Sequence, residues 1–567
     1  MYEAYAAVWQ ELTAVGAPFE IRTENIRGNP TRTYANALPS LRELWLASAE
    51  FGERDYLVYH NERLTYADAH AHVASIANWL IAQGVGSGDR VAIAMRNYPE
   101  WMLAYWATAS MGATVVGVNA WWVPAELRYG LEDSTPKVVI ADDERMARFV
   151  EISDALGDTQ LVTVRSSVDY AQQGLTTTPW SELVAHGGAL PDVSVDTDSD
   201  ACIFYTSGTT GRPKGAQLTH RGCVSNVFSM MFAGELLRTL GIRAGTIDPD
   251  AAPPVGAALV TTPLFHVTAN NCVAQGTTLG GGKLVHMYRW DAGEALALIE
   301  AEKITAMSGV PVMARELMAH EQFASTDTSS LATLGGGGAQ LQPDLVGKID
   351  QSVQNARPNT GYGMTETCGI ITSIAADFFV DKPESCGPAM PCYEVKIVDD
   401  DDSEVAPGEP GELCVRGAQV IRGYLNREDA TAETIVDGWL KTGDVARQDE
   451  HGFLFIVDRK KDMVLRGGEN IYCAEVESAL FEHASVAECS VFGIPDDRLG
   501  EEVGVAIFCA DNPRPTAEEL REHCTPLLAK HKIPRYIWLH DQPLPRNASG
   551  KFLKRELRDT LDLADVI

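Results

Sequence analysis

The chain has 567 residues, 45% of them hydrophobic, and a net charge of −32. That length exceeds one ordinary folding unit, so two or more domains are expected. So acidic a balance argues against nucleic acid and anionic membrane surfaces as partners. Eleven scattered cysteines without a C-x-x-C pair read as reduced thiols of a cytoplasmic protein, not as a disulfide frame or a zinc site.

The first twenty-odd residues read as an amphipathic helix; Glu3 and the lack of a basic leader argue against a secretory signal. From Arg42 to Asp143 helix-like and strand-like runs alternate. LTYADAHAHVASIANWLIAQGV has helical spacing, while RVAIAM and KVVIAD are short buried strands. Trp101 to Val123 carries no charge and is long enough to span a bilayer. Thr108, Ser110, Thr114 and Asn119 interrupt it, which predicts a buried helix ending near Met111 and then a strand, with no integral membrane span. This alternation predicts an α/β fold of doubly wound, largely parallel sheets. Residues 144–196 read as a surface connection with one strand, LVTV.

ACIFYTSGTTG reads as a strand entering a loop, and HRGCVSNVFSMM as the helix that follows. Residues 241–254 read as a loop, and the alternation resumes from Ala258 to Gly369. Between Glu394 and Gly417 two strands flank an acidic turn, which predicts a small antiparallel, β-barrel-like unit. The four aspartates Asp399 to Asp402 suit a solvated turn better than a metal site. After Asp458 comes a compact α+β segment. The domains expected are 1–458, a hinge at 459–461, and a small mobile C-terminal domain at 462–567.

The densest chemistry lies in Tyr205 to His220, YTSGTTGRPKGAQLTH. Its glycines let backbone approach an anion, its hydroxyls and N–H groups can hold one, and Lys214 adds charge. It is not a Walker A loop, because Pro213 precedes Lys214 and Gly215 follows it. GYGMTET at Gly361 to Thr367 offers Glu366 as a hard oxygen ligand for Mg²⁺ and Tyr362 as a flat face. LGGGGAQL at Leu334 to Leu341 suits a ligand lying on backbone; four adjacent glycines are read as having no packing value. DGWLKTGD, DRKKDMVLRGGENIY and PLPRNASGKFLKREL complete the set.

In order and composition these six motifs resemble the adenylate-forming superfamily, which includes acyl-CoA synthetases, beetle luciferases and nonribosomal-peptide adenylation domains. The match runs from about Leu41 to Leu557. The resemblance implies ATP, Mg²⁺ and coenzyme A as reactants and cofactors. It assigns Thr206, Ser207, Gly208, Thr209, Thr210, Gly211 and Lys214 to the phosphates, and Gly337, Gly338, Ala339, Tyr362, Gly363 and Thr365 to the adenine side. It makes Glu366 the metal ligand, Asp444 and Arg459 the ribose contacts, and Lys461 the pivot. Gly467 and Gly468 approach the site when the C-terminal domain turns. Lys551, with Glu366, Thr206 and Lys214, is the catalytic group of the adenylation step.

For the acid, PLFHVTANN at Pro263 to Asn271 carries His266 after Phe265 and no carboxylate, which argues against amino acids. His266, Val310, Gly338 and Gly363 are expected to line the pocket, with Phe228, Met230, Met231, Val312 and Met313 forming an apolar tunnel. A medium- to long-chain fatty acid is the favoured substrate, an aromatic acid the runner-up. The chain stops soon after Lys551, so coenzyme A is favoured over a fused carrier domain. A CoA-independent fatty acyl-AMP ligase, a luciferase-like oxidase and a non-catalytic nucleotide sensor are the other readings. Association as a homodimer is left open by the sequence.

Overall fold

The computed structural model describes residues 1–206, 212–251, 254–338, 341–353, 355–467, 469–496, 498–509, 514–547, 550–562 and 566. Two large sheets carry the N-terminal part. The first has seven strands, ordered Lys214–Thr219, Asp200–Thr206, Thr114–Gly117, Arg90–Ala94, Val138–Asp142, Gln160–Val164 and Thr177–Pro179. All neighbours are parallel except Lys214–Thr219, which runs antiparallel at the edge. The second has eight strands, with antiparallel edges at Ile374–Ala375 and Glu62–Thr65 around a parallel centre.

Local sequence explains the elements. Thr65 and Asp68 form a reciprocal capping box that starts the helix Tyr66–Ala82. In the helix Pro99–Ser110 every residue but Glu100 is buried, and Gly112, at φ +74°, releases the chain into the strand Thr114–Gly117. The uncharged stretch is therefore a buried helix and strand; among the described residues no helix is long and apolar enough to cross a membrane.

Three expectations need correcting. The phosphate loop does not pass directly into a helix: the chain returns as the antiparallel strand Lys214–Thr219 and only then enters the helix His220–Arg243. The span 144–196 is more regular than its composition suggests. It holds most of the helix Asp143–Val150, two strands that extend the first sheet, and the helix Trp180–Ala185. The glycine run also has a packing role. A Cβ on Gly335 would lie 2.0 Å from the Asn359 carbonyl oxygen, and one on Gly336 2.0 Å from that of Gly309. Only Gly337 and Gly338 emerge from between the strands.

A third, six-stranded antiparallel sheet contains Tyr393–Val398, Gly411–Gly417, Trp439–Gln448 and Phe453–Arg459. Asp399 to Asp402 form its exposed turn, where Asp402 pairs with Lys441 and Asp400 with Lys460. The last strand of this sheet ends at Arg459, and the first strand of a separate five-stranded sheet starts at Val464. That sheet has its own core of Val464, Val476, Leu480, Val491, Val505 and Ile537. The fold is thus a large α/β N-terminal body plus a smaller C-terminal α+β domain.

Candidate active site

The site forms where the carboxyl ends of both large sheets meet the third sheet and the C-terminal domain. Thr206 ends its strand and pairs with Lys214 across the hairpin. Ser207, Gly208, Thr209, Thr210 and Gly211, between them, lie outside the described residues, as do Ala339 and Gly468.

Glu366 sits in the short turn Thr365–Thr367 and is buried. Its backbone carbonyl accepts the Ile421 N–H at 3.0 Å. Its Oε1 accepts the Tyr424 hydroxyl at 2.7 Å. The Lys214 ammonium lies 4.3 Å from the centre of the same tyrosine ring. Burial, then the Glu366 charge, raises the Tyr424 pKa and keeps that phenol a donor. Tyr424 was not singled out from the sequence; its surroundings, RGYLN, carry no distinctive spacing.

Across the site, the Tyr362 hydroxyl donates to Asp444 Oδ2 at 2.6 Å, and Arg459 Nε lies 3.5 Å from Asp444 Oδ1. Burial raises the Asp444 pKa, with Arg459 opposing. Lys551 follows a turn closed by Asn547, whose Oδ1 accepts the Lys551 N–H at 2.9 Å. Gly550 in that turn has φ +81°, and a Cβ there would lie 2.8 Å from Val310 Cγ2. The buried Val310 is therefore the N-terminal-body surface on which the Lys551 turn rests. Burial, then the Arg459 charge, lowers the Lys551 pKa, while Asp444 and Glu366 act in the opposite sense. All four groups thus share one electrostatic neighbourhood. A cleft of about 710 Å³ opens beside it, lined in part by Val312, Arg315, Gly338, Arg459, Lys461 and Lys551.

His266 precedes the helix Val267–Ala269, and its Nε2 is buried with no hydrogen-bond partner among the described residues. Burial, with Lys551 adding to it, pushes His266 down to about 4, so the imidazole is neutral at physiological pH. Gly363 is in a hairpin so close that a Cβ would lie 1.9 Å from the Gly369 carbonyl oxygen. Two asparagines brace this hairpin from behind. Asn226 accepts from the Ile370 N–H at 2.9 Å and donates to the Asn271 carbonyl at 3.0 Å. Asn271 donates to the Cys368 carbonyl at 2.9 Å. Asn271 belongs to a π-helical turn, Asn270–Ala274, a form that often marks functional sites.

Other expected residues are not brought together. Gly467 turns within the C-terminal domain, its N–H bonded to the Leu499 carbonyl at 2.7 Å. Phe228 packs against Tyr34, at 5.9 Å between ring centroids, and Phe19. Met231 is exposed. Val312 faces the interdomain cleft, while Met313 lines a separate small pocket beside Trp121. The expected apolar tunnel is thus dispersed. Helical neighbours in sequence point to different faces, which the reading of the composition did not separate.

The donor set fits a magnesium nucleotide. Among the described residues the side-chain partner of buried Glu366 is a phenol, not a cation, and a buried carboxylate calls for a positive charge. Asp444 offers two oxygens, held by Tyr362 and Arg459, and Arg459 and Lys551 supply cations that line the cleft.

Comparison with known proteins agrees. The family model described as "AMP-binding enzyme" matches residues 44–425, and the one described as "AMP-binding enzyme C-terminal domain" matches 475–551. The chain is 36% identical to a feruloyl-CoA synthase of Amycolatopsis over 87% of its length and 93% of that protein. It is 32% identical to a long-chain-fatty-acid–CoA ligase of Salmonella typhimurium over 97% of its length and 98% of that protein. Among solved structures it resembles the Bacillus subtilis o-succinylbenzoate CoA synthetase bound to ATP and magnesium, with a TM-score of 0.74 and 29% identity, over 91% of this chain and 99% of that one. The chain belongs to the AMP-binding enzyme family, the adenylate-forming ligases that its motifs resemble.

Proposed function

We propose that the protein is an AMP-forming acid–thiol ligase that joins an aromatic carboxylic acid to coenzyme A through an acyl-adenylate. The observation that carries the reading is the Asp444–Arg459 pair, at 3.5 Å, whose arginine lines one cleft with Lys551. In the first half-reaction an acid oxygen attacks the α-phosphorus of ATP, and pyrophosphate leaves with the electrons of the broken P–O bond. Lys551 neutralises charge on the acid and the α-phosphate oxygens. Lys214 and the 207–211 loop hold the departing phosphates. Asp444 and Arg459 fix the ribose, and Tyr362 supports Asp444 while offering its ring to adenine. Glu366 would hold Mg²⁺, which would supply positive charge to the phosphates. Neutral His266 orients the acid by hydrogen bonding and adds no charge to the site. In the second half-reaction the coenzyme A thiol attacks the acyl carbon and AMP leaves. The C-terminal domain, 462–567, pivots at 459–461 between the two, removing Lys551.

The preference for an aromatic acid rests on two supports. The residues expected to make a long apolar tunnel are dispersed, and the buried, polar Asn226 and Asn271 brace the hairpin that carries Gly363. The feruloyl-CoA synthase similarity points the same way. A fatty acid is the second reading, supported by the 32% identity to a long-chain ligase. Pyrophosphate release measured over cinnamic, benzoic and fatty acids, with and without coenzyme A and with products identified by mass, separates them. An aryl-CoA product supports the proposal; turnover of fatty acids alone overturns the aromatic preference. An acyl-AMP that coenzyme A does not consume overturns the choice of acceptor.

A further inference from the structure

Asp458 lies immediately before the proposed pivot, in the last strand of the N-terminal body. Its side chain nevertheless belongs to the other domain's surroundings. Its Oδ2 accepts the N–H of Cys473, the first residue of the C-terminal-domain helix Cys473–Phe481. Its Oδ1 accepts the N–H of Arg459 at 2.7 Å. Lys554, itself paired with Glu477 at 3.0 Å, faces the same carboxylate, as does Glu477. Tyr472 and Cys473 feel its charge.

The linker is anchored differently on its two sides. Lys460 is tied to the N-terminal body: its N–H donates to the Gly443 carbonyl at 2.9 Å, and its ammonium meets Asp400 at 2.9 Å and Glu412 at 3.1 Å. Asp462 is tied to the C-terminal domain, its carbonyl accepting the Cys473 thiol at 3.0 Å. The Asp462 and Met463 N–H groups also donate to the Arg459 carbonyl, at 3.0 and 3.1 Å. A rotation about Lys461, as the two-step reading requires, would strain the Asp458–Cys473 bond, which joins the strand before the pivot to the helix after it.

We infer that Asp458 is a positioning residue, a cross-hinge latch that holds the C-terminal domain where Lys551 reaches the adenylation site. This rests on the two-step reading above. The element that latches is the oxygen acceptor rather than the charge. Burial pushes the Asp458 carboxyl up to about 6 against the pull of Lys554, so charge there opposes docking. Asp458→Ala removes the acceptor and leaves the first N–H of the helix unpaired. Asp458→Asn keeps an acceptor.

The test has two arms. Arg459, Lys460 and Lys461 are trypsin sites in the pivot whose backbone is held in place, the Lys460 N–H by the Gly443 carbonyl and the Asp462 and Met463 N–H groups by the Arg459 carbonyl, so their cleavage rate reports release of the segment on undocking without reference to the reaction. Asp458→Ala should be cut there about tenfold faster than wild type, and Asp458→Asn at close to the wild-type rate. In the second arm, Asp458→Ala should lower acid-dependent ATP–pyrophosphate exchange about tenfold. It should leave thioester formation from supplied acyl-adenylate within about twofold, with Asp458→Asn restoring exchange. Unchanged hinge cleavage in Asp458→Ala, or an equal fall in both half-reactions, overturns the latch. The cleavage arm does so whether or not the ligase reading holds.

Discussion

The Tyr424 hydroxyl donates to Glu366 Oε1 at 2.7 Å while the Lys214 ammonium lies over the face of the same ring. One tyrosine therefore links the cation of the phosphate loop to the metal-binding carboxylate. Its loop is held from the N-terminal segment, where Arg27 donates to the Val420 and Ile421 carbonyls at 2.8 and 2.6 Å. Tyr424 leaves one Glu366 oxygen without a described partner and fixes the direction of the other.

Tyr424→Phe removes that bond and keeps the ring. A hydrogen bond to a charged group contributes about 1.5–3 kcal/mol. Part of it is recovered by water, so a loss of about tenfold in adenylate formation is expected, with a raised Mg²⁺ requirement. Titration of pyrophosphate release against Mg²⁺ checks this. An unaltered Mg²⁺ dependence contradicts the role.

The pH dependence follows from two buried bases. Burial and the Arg459 charge lower the Lys551 pKa, so the ammonium is lost as pH rises through a value below the ordinary lysine range of about 10.4. kcat/KM for adenylate formation should fall on the alkaline side earlier than an ordinary lysine would allow. His266, pushed down to about 4, should add no limb between pH 5.5 and 7.5. A pH–rate profile for the wild type and for His266→Gln reads both, and the two profiles should be parallel.

Gly363→Ala places a Cβ against the Gly369 carbonyl oxygen in the hairpin that carries Glu366. Neither partner is a flexible side-chain end, so the hairpin must shift. About 1–3 kcal/mol of stability should be lost, together with most of the adenylation activity. Thermal melting and pyrophosphate exchange on the same sample test the pair of effects. A full-activity Gly363→Ala enzyme would show that the hairpin tolerates displacement.

The motifs were legible because their chemistry is local. A glycine-flanked Lys551, a Thr-Glu-Thr turn and a Thr-Gly-Asp turn each announce themselves within a few residues. The helix–strand alternation likewise reflects periodicity that a short window contains. What the sequence hid was long-range. Tyr424 reaches Glu366 from 58 residues away, and Asn226 meets Ile370 from 144. Asp458 ended the expected N-terminal domain and drew no role of its own, whereas its side chain accepts a bond from Cys473 beyond the expected hinge. The glycine run misled in part, because a close approach between strands and a close approach to a ligand ask for the same residue. The apolar residues grouped from composition do not gather, because Phe228 is buried in the core while Met231, on the same helix, is exposed.

The most direct measurement of the central claim is to run the two half-reactions separately on Lys551→Ala. With acid, ATP and Mg²⁺, pyrophosphate exchange should fall by about 10²-fold or more, as expected when a charge aimed at the developing phosphate negative charge is removed. With synthetic acyl-adenylate and coenzyme A, thioester formation should stay within about twofold of wild type. Equal loss in both halves would contradict a Lys551 that serves adenylation alone, and with it the domain swing that separates the two steps.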